Sequence, residues 1–306
     1  MSPSSPLVSI ITATYNRSNV LRYTISSVLN QTFQDWELIV VGDACTDDTE
    51  DVVVSFNDPR IHFKNLSRNI GEQSGPNNEG FRLARGQYIA YLNHDDLWFS
   101  DHLAIQLQGI EKTGADMVFS MGLSICPNER RMLVGAVPNN RYHPSMLVPA
   151  SLWFLKREMI EEVGPWHFYR ECYTVPSQDW LIRAWKAGKE MRLIPAMTVV
   201  FFWSGTRPNV YAHREYEENK RYFERMQNEP DFREKELTAA LLELTAPYAH
   251  LRIWTFFRRA VINIVKHILL KCRILPHSLI LFCRHRVRKG GYIDYLRKSR
   301  GLPKLK

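Results

Sequence analysis

Paired cysteines are missing from this sequence. The five present, Cys45, Cys126, Cys172, Cys272 and Cys283, are scattered with no CxxC spacing, which argues against a zinc ribbon or a disulfide scaffold and fits reduced thiols in a cytoplasmic protein. Also missing is an apolar run fit to cross a bilayer. The most apolar late stretch, 260–283, is interrupted by Lys266, His267, Lys271, Arg273, Pro276 and His277. The opening MSPSSPLVSIITATYNR lacks the basic start and apolar centre of a secretory leader. Neither a GxxxxGKS/T loop nor a GxGxxG turn follows the first apolar run, so a P-loop and a dinucleotide cradle have no support. There is no internal repeat.

Acid is nearly absent from one region. From residue 250 to 306 there are fifteen Lys and Arg against Asp294 alone, a net +14, so the rest of the 306-residue chain carries −6 within a total of +8. Such asymmetry describes an acidic body with a basic appendage that meets an anionic surface. The aromatic and aliphatic residues there, Leu251, Trp254, Phe256, Phe257, Val261 and Ile264, fall at helical spacing. That pattern fits an amphipathic element, either packed on the body or lying on an anionic membrane leaflet. No RNA-recognition module or zinc finger accompanies it, and a nucleic-acid partner is not expected. The expected location is the cytoplasm, peripheral on the inner face of the membrane.

The body reads as α/β. LVSIITAT (7–14) and WELIVV (36–41) are short β-branched runs of buried parallel-strand type, separated by a helical period through Val20, Leu21, Ile25, Val28 and Leu29. Ser18 or Asn19 is the expected helix cap. Further strands are predicted at 61–65, 87–92, 116–121 and 193–203, with helices at 49–56, 76–84, 101–112 and 179–187; Gly86 and Gly188 are the expected caps. Residues 126–149 are irregular. In such a sheet ligands bind beyond the carboxyl ends of the strands. Three polar clusters lie there: Thr14 to Arg17, Asp43 to Asp48, and Asn93 to Asp96.

The adjacent carboxylates Asp95 and Asp96 suit a hard divalent cation bridging to substrate phosphates, and Asp43 can accept an N–H from a base ring. The bland alternatives stand beside these. Aspartate is equally at home in turns and at helix N-termini, and Asp179 precedes an amphipathic pattern that it could simply cap.

In order and spacing, ITATYNR, VGDACTDDT, RNIGEQSGPNNEGFRLARGQYIAYLNHDD and SQDWLIRAWKAG resemble the family 2 glycosyltransferases of the GT-A fold, over about residues 7–203. The resemblance implies a mostly parallel α/β sheet flanked by helices, followed by a basic helical C-terminal extension. The implied division is a catalytic domain at 1–205 (nucleotide half 1–98, acceptor half 99–205) and an extension at 206–306. It implies inverting transfer from a nucleoside-diphosphate sugar, of UDP type, to a hydroxyl of a glycan or lipid-linked acceptor in cell-surface polysaccharide or glycolipid synthesis, with Mn2+ or Mg2+. On that resemblance Asp179 is the general base and Asp95 the metal ligand. Thr12, Ala13, Tyr15, Arg17, Asp43, Arg68, Gly71 and Asn78 surround the nucleotide. Asn93, His94 and Asp96 adjoin the sugar and diphosphate, and Trp166, Gln178 and Trp180 the acceptor. Two departures stand out. Asn93 occupies the place of the first aspartate of a DxD motif, and Gln178 that of the glutamate before the base, so an inactive nucleotide-sugar-binding scaffold on the same fold is the competing reading.

Overall fold

The structure is a computed structural model that describes residues 5–202, 207–211, 217–245, 261, 264, 265, 268, 289–303 and 305. Its first half is a wound βα unit: β1 (Val8–Thr14), α1 (Ser18–Leu29), β2 (Trp36–Gly42), α2 (Thr49–Val54), β3 (Ile61–Asn65), α3 (Ser74–Leu83) and β4 (Tyr88–Tyr91). The order β3-β2-β1-β4 is parallel throughout. Every residue of β2 and all but one of β1 are buried, because helices cover both faces; this is why these strands read as continuous apolar runs rather than as alternation.

Beyond β4 the sheet becomes mixed. β5 (Leu97–Trp98), α4 (His102–Thr113), β6 (Met117–Ile125), β7 (Arg131–Val134), β8 (Trp153–Lys156), α5 (Arg157–Val163), α6 (Pro176–Lys186) and β9 (Met191–Phe201) follow. β8 enters antiparallel between β4 and β6, β9 runs parallel to β6, and β5 and β7 pair antiparallel at the margins. The irregular region 126–149 therefore hides a short hairpin strand, β7. Trp153 anchors the core between the two halves, with Trp180 and Trp166 rings 5.6 and 5.4 Å away.

Three local expectations are corrected. Neither Ser18 nor Asn19 caps α1; Arg17 is the N-cap residue and makes no side-chain cap bond. Gly86 does not close α3, which ends at Ala84. It is instead where backbone meets backbone, since a Cβ there would lie 2.5 Å from the Ser9 nitrogen. Asp179 is not a helix cap either, because α6 begins at Pro176 with Val175 as its N-cap.

Packing continues past residue 205. α7 (Glu217–Asn228) and α8 (Phe232–Thr245) bring Tyr222, Phe232 and Ala240 into a second apolar cluster with Leu97, Leu123, Ile125 and Val200. Ion pairs frame it: Arg131 with Glu236 at 2.6 Å, Arg225 with Glu236 at 2.8 Å, and Arg233 with Asp101 at 2.5 Å. The last described helix, α9 (Gly291–Ser299), returns to the strand ends of the first half. Most of the expected interfacial segment, 250–288, lies outside the described residues. Among the described residues no helix is long and apolar enough to cross a membrane.

Candidate active site

Because β2, β1 and β4 are neighbours, their three carboxyl-end loops meet. Asn16 exchanges hydrogen bonds with Thr46, its amide donating to the hydroxyl at 3.2 Å and its oxygen accepting from the backbone N–H at 2.8 Å. His94 Nδ1 donates to the Ala13 carbonyl at 3.1 Å. A carbonyl can only accept, so that proton sits on Nδ1 and leaves Nε2 as a buried acceptor with no hydrogen-bond partner. Burial holds His94 below the ordinary imidazole range, opposed by Asp95 and reinforced by Arg17 and Arg300.

Asp43 is almost fully buried and heavily engaged. Its carboxylate accepts from Ile70 N–H at 2.6 Å, Gly71 N–H at 2.7 Å and the Asn69 amide at 3.1 Å. Burial nevertheless keeps its carboxyl above the usual range, against the pull of those donors and of Arg297. It thus fixes the loop after β3, and a base ring would share oxygens already in use. Thr12 lies beneath, buried with an unpartnered hydroxyl, while Arg68 is exposed at the rim. Gly71 has φ +91°, and a Cβ there would meet the Leu305 side chain at 2.1 Å.

The two adjacent acids have different fates. Asp96 turns inward: its Oδ2 accepts from the Asn93 amide at 2.8 Å and the Ser151 hydroxyl at 2.5 Å, while Thr24 ties the Asp96 and His94 carbonyls to α1. Burial and the neighbouring Asp95 push its carboxyl up. Asn93 spends its amide inside this closed network. Asp95 alone keeps a carboxylate with no hydrogen bond among the described residues, 4.0 Å from His94 Nε2, and its backbone carbonyl accepts from Asn219 of α7 at 2.8 Å.

The sequence reading missed what covers these loops. Tyr211 lies 6.2 Å from the Tyr15 ring and 6.4 Å from that of His94, with the Arg17 guanidinium 5.5 Å away. Arg17 also donates to the Val210 carbonyl at 2.5 Å. Arg297 of α9, only 4% exposed, donates to the Gly71 carbonyl and, at 2.9 Å, to that of Pro303. The Tyr211 N–H donates to the Arg300 carbonyl at 3.3 Å. Residue types alone carried no signal for this, since the C-terminal arginines read as surface charge.

On the far side Asp179 sits in the first turn of α6. Its Oδ2 takes both the Arg183 Nε, one helical turn on, at 3.1 Å, and His167 Nδ1 at 3.0 Å. Neither partner was foreseen. Gln178 is buried and donates to the Tyr142 hydroxyl at 2.8 Å and the Met146 carbonyl at 3.1 Å, holding the 142–146 loop. Trp180 is fully buried, stacked on Trp153, with its indole N–H on the Gly164 carbonyl at 2.9 Å, so the expectation that it touches the acceptor is corrected to a core role. Trp166 is 3% exposed; Asn78 clamps its backbone through N–H and carbonyl bonds of 2.9 Å each, which makes Asn78 a tie between α3 and the acceptor side.

Among the described residues, one group of His, Cys and carboxylate atoms is close enough to hold an ion: His167, Cys172 and Asp179, all within 4.8 Å. Its chemistry does not fit. Burial, with the charges of Asp179, Glu72 and Glu171, pushes the Cys172 thiol up to about 12, and the thiol donates to the Phe168 carbonyl at 3.5 Å. At the other end, Asp95 offers one carboxylate. That fits a Mg2+ or Mn2+ arriving with a diphosphate, which such ions share with one or two protein carboxylates, and not an ion caged by protein alone.

A wound β-α sheet with acidic and cationic groups gathered beyond its carboxyl strand ends is the architecture of a nucleotide-dependent GT-A enzyme fold. The sequence comparisons agree: the model described as Glycosyl transferase family 2 matches residues 9–162, half of the chain, and the protein belongs to that family. It is 40% identical over 105 residues to the putative teichuronic acid biosynthesis glycosyltransferase TuaG of Bacillus subtilis, covering 34% of this chain and 41% of that one. It is 36% identical over 113 residues to the UDP-Glc:alpha-D-GlcNAc-diphosphoundecaprenol beta-1,3-glucosyltransferase WfgD of Escherichia coli, covering 37% and 44%. The matches thus span less than half the length of these curated relatives. Among solved structures, S. aureus TarS 1–349 in complex with UDP-GlcNAc superimposes with TM-score 0.56 at 16% identity, covering 78% of this chain and 72% of that one. The mannosyltransferase PcManGT from Pyrobaculum calidifontis, in complex with GDP-Man and Mn2+, gives 0.55 at 16%, covering 93% and 88%. These likenesses show the GT-A fold.

Proposed function

We propose that this protein is an inverting glycosyltransferase, moving a sugar from a UDP-type nucleoside diphosphate to a hydroxyl of a glycan or lipid-linked acceptor in cell-surface polysaccharide or glycolipid synthesis. One observation carries the reading. Asn78 of α3 holds the Trp166 backbone with two hydrogen bonds of 2.9 Å, and the next residue, His167, pairs with Asp179 at 3.0 Å, so the carboxylate on α6 is tied to the helix that follows the nucleotide-side loop. Two donors hold one oxygen of Asp179, which leaves Oδ1 to receive a proton. In the proposed reaction the acceptor hydroxyl attacks the anomeric carbon from the face opposite the diphosphate, and Asp179 takes its proton as the bond forms. Loops after β1 and β2 orient the nucleoside, and Asn78 keeps the two halves in register. A Mg2+ or Mn2+ on Asp95 would supply positive charge for the departing diphosphate.

Relatives support the donor and acceptor classes. WfgD is described as acting from UDP-Glc on a diphosphoundecaprenol-linked sugar, and TarS has been seen with UDP-GlcNAc. Contact with an anionic membrane has its own support. Val261, Ile264, Val265 and Ile268, at helical spacing in the basic region, each leave about half their surface exposed (55, 59, 48 and 54%).

The test is turnover of a panel of UDP-, dTDP- and GDP-sugars with Mn2+, by wild type and Asp179→Asn. Asp179→Asn should lose about 10²–10⁴-fold in rate, the range of a general base, while keeping its affinity for UDP. Absence of both transfer and hydrolysis by the wild type, with UDP still bound, would establish the inactive scaffold in its place.

A further inference from the structure

Three arginines from two distant parts of the chain close on the same loops. Arg17 follows β1, while Arg297 and Arg300 lie on and just after α9. Arg17 and Arg297 are 3% and 4% exposed, and in all three the Nε is buried with no hydrogen-bond partner among the described residues. Among the described residues no carboxylate hydrogen-bonds to these guanidinium groups. Asp43 is committed to the 69–71 loop, Asp96 to Asn93 and Ser151, and Asp95 faces His94. Buried N–H groups left without acceptors are costly, and guanidinium groups are shaped for phosphate oxygens.

We infer that Arg17, Arg297 and Arg300 form a diphosphate-binding clamp, in which the C-terminal segment supplies much of the positive charge that the single carboxylate Asp95 can recruit only through an ion. This rests on the nucleotide-donor reading above and adds to it the residues that hold the leaving group. Arg297 donates to the Gly71 carbonyl, next to the N–H that Asp43 accepts, and the Arg300 backbone carbonyl accepts from Tyr211 N–H. Tyr211 lies against Tyr15 and His94, so the segment that carries the two arginines borders the loops after β1, β3 and β4. The clamp explains how a site with Asn93 in place of a carboxylate holds a multiply charged diphosphate.

The experiment is calorimetric titration of the full chain with UDP and with uridine, in EDTA and again in Mn2+. The wild type should bind UDP more tightly than uridine even in EDTA. Arg297→Gln and Arg300→Gln should each lose UDP affinity on the order of tenfold or more, with uridine binding unchanged. Lys298→Gln, which removes an exposed charge from the same helix, should change neither. Thermal midpoints taken alongside separate a folding defect from a binding one. Should Arg297→Gln unfold, Arg300→Gln and the charge-preserving Arg297→Lys carry the comparison. UDP bound equally well by the arginine variants would overturn the clamp and leave the donor reading standing. UDP bound more tightly by them would overturn it in favour of a segment that merely obstructs the cleft. Failure of the wild type to bind either ligand would remove the donor reading itself.

Discussion

His167 and Arg183 share one carboxylate oxygen of Asp179, and the two do different work. Arg183 is anchored elsewhere, donating to the Val163 and Pro165 carbonyls at 2.7 and 2.6 Å, so its charge is fixed in place. His167 is 44% exposed on its side chain and reaches Asp179 from the edge of the cleft. On the proposed reaction it orients the base and does not bind the donor. His167→Gln should therefore lower kcat about tenfold, the size of one charge-assisted hydrogen bond, with KM for the nucleotide sugar unchanged. A rise in that KM of the same size would instead make His167 a donor-side residue. The residue scale is also where sequence legibility was poorest. Asp95 and Asp96 are adjacent and alike in type, and it is Asn93 together with Ser151, 55 residues later, that turns one of them into a buried anchor. Trp180 was expected beside the acceptor because nothing in its own segment announces the Trp153 ring on which it stacks.

At the scale of elements, the wound first half was legible because β1, β2 and β4 are buried runs and α1 between the first two follows a 3.6-residue period. β7 was not, since a four-residue edge strand that is only partly buried carries neither signal. The α4–β9 contact shows what burial does to a titratable group. His102, at the start of α4, lies against the Trp98 ring at 4.1 Å, with Nδ1 2.7 Å from the Thr198 hydroxyl. Burial, aided by the charge of Arg233, pushes it down to about 3 from an ordinary 6.5. Below pH 6.5 the unfolded chain binds a proton that the fold refuses until about pH 3, so stability falls with pH across that window, by up to about 1.4 kcal/mol per pH unit, and is unaffected above it. Urea midpoints at pH 7.5, 6 and 5 should show this decline, and His102→Gln should flatten it while lowering stability at pH 7.5. A variant with an unchanged slope would place the acid sensitivity elsewhere.

Over the whole molecule, charge is segregated more sharply than the total of +8 conveys. The basic region was read from composition as an appendage for an anionic surface, and two of its arginines, Arg297 and Arg300, instead return to the strand ends of the first half. That return was illegible because Arg297 and its acceptor at Gly71 are 226 residues apart. The exposed aliphatics Val261, Ile264, Val265 and Ile268 carry the proposed membrane contact. The full chain should float with vesicles containing anionic phosphatidylglycerol and not with neutral phosphatidylcholine, and association should weaken as salt rises, since each basic residue near the surface contributes about 1 kcal/mol before screening. Equal flotation with both vesicle types would remove the electrostatic part of this reading.

The return of α9 also sets the order in which the protein can mature. Chains fold from the N-terminus as they are made, at about 5–20 residues per second, so β1 to β4 can assemble long before residues 291–305 exist. Until then Gly71 and Tyr211 face solvent where Arg297, Leu305 and Arg300 will later lie. A nascent or prematurely terminated chain would carry the nucleoside loops and Asp179 without the cationic wall. Competence for the charged donor would thus be acquired late in synthesis, after the fold itself is in place.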